Sequence, residues 1–204
     1  GLAQISPEAI RHVMHGTTVA TNTVLTSSGA KVGLVTTKGY RQVLQIARSF
    51  VPGGLGGWVI YNKSLPMAPL ALTIEADERV SSKGDVVDAL DETKLRAALR
   101  ALGEKRIEAL TVSLINSFAN DRHERRIKEI AQEVIPGIPV SLSSEVVPEM
   151  QEYERTVTTV ANSYVRPRVQ KYVKNLQSKL DAKAKRVKLH ILRSDGGLAS
   201  AKSA

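Results

Sequence analysis

The sequence contains no cysteine, which excludes disulfides, thiolate metal sites and thiol nucleophiles. Aromatic residues make up only 4%. The core must therefore rest on Val, Leu, Ile and Ala, and the interleaved aromatics of a single-strand nucleic-acid platform are missing. No apolar run approaches the roughly 20 residues of a membrane span, and residues 1–14 lack the basic start and apolar run of a signal peptide. P-loop and Gly-x-Ser-x-Gly patterns are absent as well. What remains is an ordinary globular composition: 204 residues, 42% hydrophobic and 24% charged, enough for one large or two small domains. The net charge is +9, but Lys and Arg are interleaved with Glu and Asp, as in Arg122-His123-Glu124-Arg125-Arg126. Only Lys179 to Lys188 is a concentrated basic stretch, and it reads as a solvated helix face, so nucleic acid is a disfavoured partner. A cytoplasmic protein with no membrane partner is expected. The first residue is Gly1, not methionine, and the chain is expected to be an internal piece of a longer subunit.

The densest polar stretch is His15-Gly16-Thr17-Thr18-Val19-Ala20-Thr21-Asn22. Threonines and a glycine at the mouth of a helix can offer several hydrogen-bond donors to an anion or carbonyl. The same pattern is also a plain N-cap, Thr17 or Thr18 opening a helix over Val19 to Leu25. Along the chain, residues 1–14 read as a short helix started by Ser6-Pro7. Lys31 to Thr37 is a buried strand, and 40–49 a helix. Residues 50–69 form a Gly/Pro-rich connection, read as a surface loop anchored by Trp58 and Tyr61. A strand is expected over 72–80, followed by a turn at Ser82-Lys83-Gly84-Asp85 and a helix over 92–104 capped by Asp91. Strands at 109–114 and 139–142 flank a helix over 121–134, which implies a right-handed crossover and a largely parallel sheet. Residues 143–149 read as a strand end and loop. A long helix from Met150 to about Ala184 is expected to kink or restart at Pro167, before a last strand over 187–192.

Three strand-end stretches, 15–22, 143–155 and 193–198, gather the polar groups. Glu145, Glu149, Glu152 and Glu154 lie near a helix start, where carboxylates can bind a metal or act as acid and base, or simply favour the helix dipole. Glu145, Tyr153 and Arg155 are favoured for function and Glu152 for structure. Asp195-Gly196-Gly197 permits close backbone approach to a ligand, although the tripeptide alone reads first as a tight turn. His123, on a charged helix face, is expected to be solvated, and His190 to be structural. His12 and His15 could share a helix face, but no third ligand accompanies them, so any metal stays unassigned.

Taken together, these stretches resemble the hydantoinase A / 5-oxoprolinase / acetone carboxylase family. The resemblance rests on His15-Gly16-Thr17-Thr18-Val19-Ala20-Thr21-Asn22, Gly33 to Tyr40, Ser117-Phe118-Ala119-Asn120 with His123-Glu124-Arg125-Arg126, Ser143 to Glu149, Glu152-Tyr153-Glu154-Arg155 with Thr159 and Asn162, and Ser194-Asp195-Gly196-Gly197-Leu198. It implies an α/β fold of ribonuclease-H-like, actin-like ATPase architecture, incomplete here, with a mixed sheet flanked by helices. It also implies ATP with Mg as cofactor, a cyclic amide activated by phosphorylation for hydrolysis, and a hydantoinase-B-type subunit or domain as partner. A ketone carboxylase of the same family and a non-catalytic assembly module are the alternatives. The sites implied are His15 and Glu145 as catalytic residues, Thr17, Thr18, Asn22, Tyr153 and Arg155 at the substrate, and Asp195, Gly196 and Gly197 at the nucleotide. The expected division is 1–50 as the end of an N-terminal domain, 51–70 as a loop, 71–186 as an α/β subdomain, and 187–204 as the start of the next ATPase-like half.

Overall fold

The computed structural model describes residues 10–48, 64–183, 187–192 and 197–200. The expected Phe50 to Trp58 loop and the Ser6-Pro7 helix start lie outside them. The chain divides into two compact units, one of residues 30–164 and one of residues 1–29 with 165–204.

The 30–164 unit is built on a four-stranded sheet. Its strands are β2 (Val32–Thr37), β3 (Thr73–Ala76), β6 (Ala109–Ser113) and β7 (Val140–Leu142), in the order β3-β2-β6-β7. Every pairing is parallel. All six residues of β2 are buried, as expected of a strand covered on both faces. Side-chain alternation sends Val35 to one face and Val32 and Leu34 to the other. On the first face lie helix α3 (Glu92–Glu104), which buries Leu95, Leu99 and Leu102, and helix α4 (Arg122–Val134), which buries Ile127, Ile130 and Ala131. Asp91 caps α3 by accepting from the Lys94 N–H at 3.0 Å. Gly33 leaves room for its neighbours on this face: a Cβ there would lie 2.9 Å from both Ile107 Cδ1 and, on α3, Leu102 Cδ2. The second face is covered by Leu44, Ala68 and Val160, with Tyr153, Val157 and Tyr164 packed alongside.

Several expected elements are corrected. The 40–49 helix shrinks to one turn, α2 (Val43–Ile46), because Ala47 takes a left-handed φ of 53°. The 72–80 strand breaks after Ala76. Asp77 and Glu78 leave the sheet, and β4 (Arg79–Val80) pairs antiparallel with β5 (Val86–Asp88) across the Ser81 to Asp85 turn. Gly84 supplies the φ of 90° that this turn needs. Residues 143–146 form a short helix, α5 (Ser143–Val146), in place of a loop. Helix α6 (Glu152–Lys183) runs through Pro167 without restarting; it belongs to the first unit up to Tyr164 and to the second from Val165.

The second unit holds a mixed three-stranded sheet, β1-β8-β9. Strand β1 (His12–His15) runs parallel to β8 (Lys188–Leu192), and β9 (Leu198–Ser200) antiparallel to it. Residues 12–14 are thus strand, not helix, and His12 and His15 fall on opposite faces of it. Helix α1 (Val19–Leu25) follows as expected, burying only Thr23. Among the described residues, the core of this unit sets Val173 of α6 against Leu189 and Ile191 of β8. Among the described residues, no helix is long and apolar enough to cross a membrane.

Candidate functional site

In the second unit, β1 delivers His15 at its C-terminal end. The half-buried His15 Nε2 lies 2.7 Å from Tyr172 Oη on α6, and the two rings stack at 5.8 Å. The chain then turns at Gly16 into α1. Thr17 Oγ1 accepts from the Val19 N–H at 3.2 Å. Thr18 occupies the N-cap without a side-chain capping bond; its Oγ1 accepts from Asn22 Nδ2 at 3.3 Å. The expected cap is therefore made by Thr17 from one residue further out. His12, on the other face of β1, pairs with His190: Nδ1 and Nε2 are 3.0 Å apart. Gly197 leads into β9, while Asp195 and Gly196 lie outside the described residues.

In the 30–164 unit, a buried polar network occupies the C-terminal ends of β2, β6 and β7. Glu124 is completely buried. One of its oxygens accepts from the Leu114 N–H at 2.9 Å and from Ser143 Oγ at 2.6 Å. The other accepts from the Ser144 N–H at 2.9 Å and Ser144 Oγ at 2.7 Å. Arg155 is 1% exposed and donates to the Leu114 carbonyl at 2.6 Å and the Glu149 carbonyl at 3.0 Å. Its guanidinium lies 5.6 Å from the Phe118 ring centre, and its Nε has no partner among the described residues. Burial lowers the Arg155 pKa, an effect opposed by the charges of Glu124 and Glu152. The backbone of Leu114 is thus held by a carboxylate at its N–H and a guanidinium at its carbonyl.

Beside this network, Glu78 accepts from Thr37 Oγ1 and bonds His123 Nδ1 at 2.8 Å, while Thr37 Oγ1 accepts from the Ile115 N–H at 3.0 Å. His123 is 7% exposed, which corrects its expected solvation. Its helix explains why. His123, Ile127 and Ile130, together with Glu124 and Ala131, form the buried stripe of α4. Their spacing was the available signal; the charged neighbours concealed it.

Tyr153 lines a cavity of about 600 Å³ with Tyr40, Arg41, Leu70, Glu75 and Glu152. The Glu75 carboxylate anchors this wall by accepting from the Gly39 N–H at 2.8 Å. Glu145 lies on the exposed side of α5, with both oxygens 3.0 Å from Lys128 Nζ. Within each unit the structure therefore gathers part of the expected set: His15, Thr17, Thr18 and Asn22 in one, Tyr153 and Arg155 on the first turn of α6 in the other. Among the described residues, no three His, Asp or Glu side chains are grouped to hold a metal ion.

Comparison with known proteins reaches both units. The profile of the hydantoinase/oxoprolinase N-terminal region matches residues 2–135, and that of hydantoinase/oxoprolinase matches residues 155–204. The chain is 33% identical to the acetophenone carboxylase gamma subunit of Aromatoleum aromaticum, over 92% of this chain and 27% of that protein. It is 30% identical to caprolactamase subunit alpha of Pseudomonas jessenii, over 91% and 27%, and 30% identical to 5-oxoprolinase 1 of Arabidopsis thaliana, over 97% and 17%. The chain thus spans less than a third of the length of these relatives. The crystal structure of the ATP-dependent caprolactamase from Pseudomonas jessenii superposes with a TM-score of 0.88 at 29% identity, covering 96% of this chain and 28% of that one. Nucleotide-free acetone carboxylase superposes with a TM-score of 0.84 at 23% identity, over 96% and 29%, a likeness of fold. The α/β class, with helices flanking its sheets, is the actin-like ATPase type of architecture expected from the sequence. With the first profile alone spanning residues 2–135, the chain belongs to the hydantoinase/oxoprolinase family.

Proposed function

We propose that the chain is part of an ATP-dependent subunit, cytoplasmic in location, that activates a cyclic amide by phosphorylation for hydrolysis. The observation that carries this reading is the pair of family profiles across residues 2–135 and 155–204. In the proposed reaction the γ-phosphoryl group of ATP, delivered with Mg²⁺, moves to the amide oxygen and ADP leaves. Water then adds at the amide carbon, the ring C–N bond breaks, and phosphate departs. A carboxylate product and a free amine remain.

His15, Thr17, Thr18 and Asn22 contact the substrate or its phosphorylated form. Support comes from their position at the end of a strand, where α/β folds place ligands. Tyr153 contributes the wall of its cavity. Arg155 acts through the loops whose carbonyls it holds. Glu145 is the catalytic carboxylate of this reading, and Asp195, Gly196 and Gly197, which follow β8 in the sequence, approach the nucleotide phosphates. A hydantoinase-B-type subunit or domain completes the catalyst. The 33% identity to an acetophenone carboxylase subunit favours a second reading, in which a ketone enol oxygen is phosphorylated and bicarbonate supplies the carboxyl group.

The test is ADP release by the intact parent protein with its partner. Cyclic amides stimulating turnover without bicarbonate support the hydrolase. Turnover that requires a ketone and bicarbonate selects the carboxylase. No nucleotide turnover with either, together with tight binding to a large partner, replaces both with an assembly role. His15→Ala should lower substrate-coupled turnover by about 10²-fold, the scale of losing one oxyanion donor; full turnover in that variant removes His15 from the site.

A further inference from the structure

The 2.7 Å contact between His15 Nε2 and Tyr172 Oη fixes more than a ring orientation. Phenol is a stronger hydrogen-bond donor than a neutral imidazole N–H, and the unprotonated imidazole nitrogen is a strong acceptor. The favoured arrangement is therefore O–H to Nε2, and among the described residues no other partner competes for the Tyr172 hydroxyl. With Nε2 occupied as an acceptor, the neutral ring carries its proton on Nδ1, since the hydrogen bond at one nitrogen sets the state of the other. Nδ1 is the ring nitrogen nearer the backbone, which continues into Gly16-Thr17-Thr18.

The threonines point to the same kind of ligand. Thr17 Oγ1 already accepts from the Val19 N–H, and Thr18 Oγ1 from Asn22 Nδ2. Each hydroxyl oxygen already accepts one hydrogen bond and retains its proton to donate. The outward offer of His15, Thr17 and Thr18 then includes three donors. Such a surface suits an oxygen acceptor, a carbonyl or phosphoryl oxygen, and the basic ring nitrogen Nε2 is already occupied by Tyr172.

We propose that Tyr172 is a positioning residue that locks His15 as its Nδ1–H tautomer, so that His15, Thr17 and Thr18 each offer a donor to the carbonyl or phosphoryl oxygen of the activated substrate. His15 is then an electrophilic contact, not a general base. This rests on the reading that the stretch meets substrate. Sequence alone did not single out Tyr172, because it lies 157 positions away on a helix face that reads as core. It packs against the cluster of Val173, Leu189 and Ile191.

The test uses the intact parent protein labelled with ¹⁵N-histidine. Long-range ¹H–¹⁵N spectra, with His15 assigned by loss of its signal in His15→Ala, should show the Nδ1–H pattern in the wild type. In Tyr172→Phe, which keeps the ring packing, the pattern should shift toward Nε2–H, the form that predominates in free histidine side chains. In turnover assays Tyr172→Phe should lower kcat about tenfold with KM within about twofold, the sign of a contact made in the transition state. The double variant His15→Ala/Tyr172→Phe should be no slower than His15→Ala. An Nε2–H wild type, or additive losses in the double variant, overturns the proposal. Full turnover of His15→Ala instead removes the underlying substrate-contact reading, and the spectra still decide whether Tyr172 sets the tautomer.

Discussion

Glu124 is the residue on which the 30–164 unit is most exposed to a single change. It gathers four donors with no solvent contact. Removing the carboxylate takes one partner from two backbone N–H groups and two hydroxyls, leaving the buried Leu114 N–H unpaired and the half-buried Ser144 donors weakened, and each unsatisfied buried donor costs about 1–3 kcal/mol. Glu124→Ala should therefore lower stability by about 3 kcal/mol or more in urea unfolding, and Glu124→Gln by less, because the amide oxygen still accepts. A loss below about 1 kcal/mol for Glu124→Ala would show that the network is relieved by water. Arg155 shows what the sequence could and could not disclose. Its place in the Glu152-Tyr153-Glu154-Arg155 block marked it, but the partners that define it are backbone carbonyls, which have no signature in the one-letter code. His123 and Glu78 escaped for a related reason: they meet across 45 positions, and only tertiary structure brings a charged helix face to a carboxylate that has left its strand.

Among the elements, α3 depends on local electrostatics that can be titrated. Lys94 holds the Asp91 carboxylate below its usual range, first through its backbone N–H and then through its ammonium. Asp77 is lowered by Lys94 and Lys38. Both folded-state values lie below the unfolded value of about 4. The stabilisation is complete above that value and is lost as pH falls through the depressed folded values. Asp91→Asn, which can still cap, should narrow the difference in Tm between pH 7 and pH 3. Asp91→Ala should lower Tm by a few degrees even at neutral pH. An unchanged pH dependence in Asp91→Asn would assign the acid sensitivity elsewhere. Elements with strong local signals were legible in the sequence: the capped α3, the β-branched run of β2, and the glycine turn at 84. The failures came where tertiary demand decided. Residues 72–80 alternate well enough for one strand, yet Asp77 and Glu78 are drawn out of the sheet. Residues 12–15 are too short to declare a period, and become a strand because β8 offers a parallel edge.

The molecule as a whole is unevenly built. Among the described residues, the 30–164 unit buries two apolar clusters on opposite faces of its sheet, whereas the other unit shows one cluster of three buried residues. Apolar burial is the main stabilising term in folding, so local opening should cost less in the second unit. Amide hydrogen exchange should be faster for β1 and β8 than for β2 and β6, and equal protection would show that the smaller core is reinforced by something other than its own packing. The actin-like ATPase type of architecture was legible only through the resemblance of ordered blocks; periodicity alone supported no more than helices flanking a largely parallel sheet.

The pairing of β1 with β8 sets His12 opposite Lys188, and it orders events in time. On a ribosome, everything the 30–164 unit needs emerges before β8 does, because β8 begins at Lys188, beyond the end of that unit. That unit can close while the segment carrying His15 still has no strand to pair with. His15 meets Tyr172 in a finished sheet only once β8 is available, so the candidate substrate contact is completed after the fold of the 30–164 unit can already have formed.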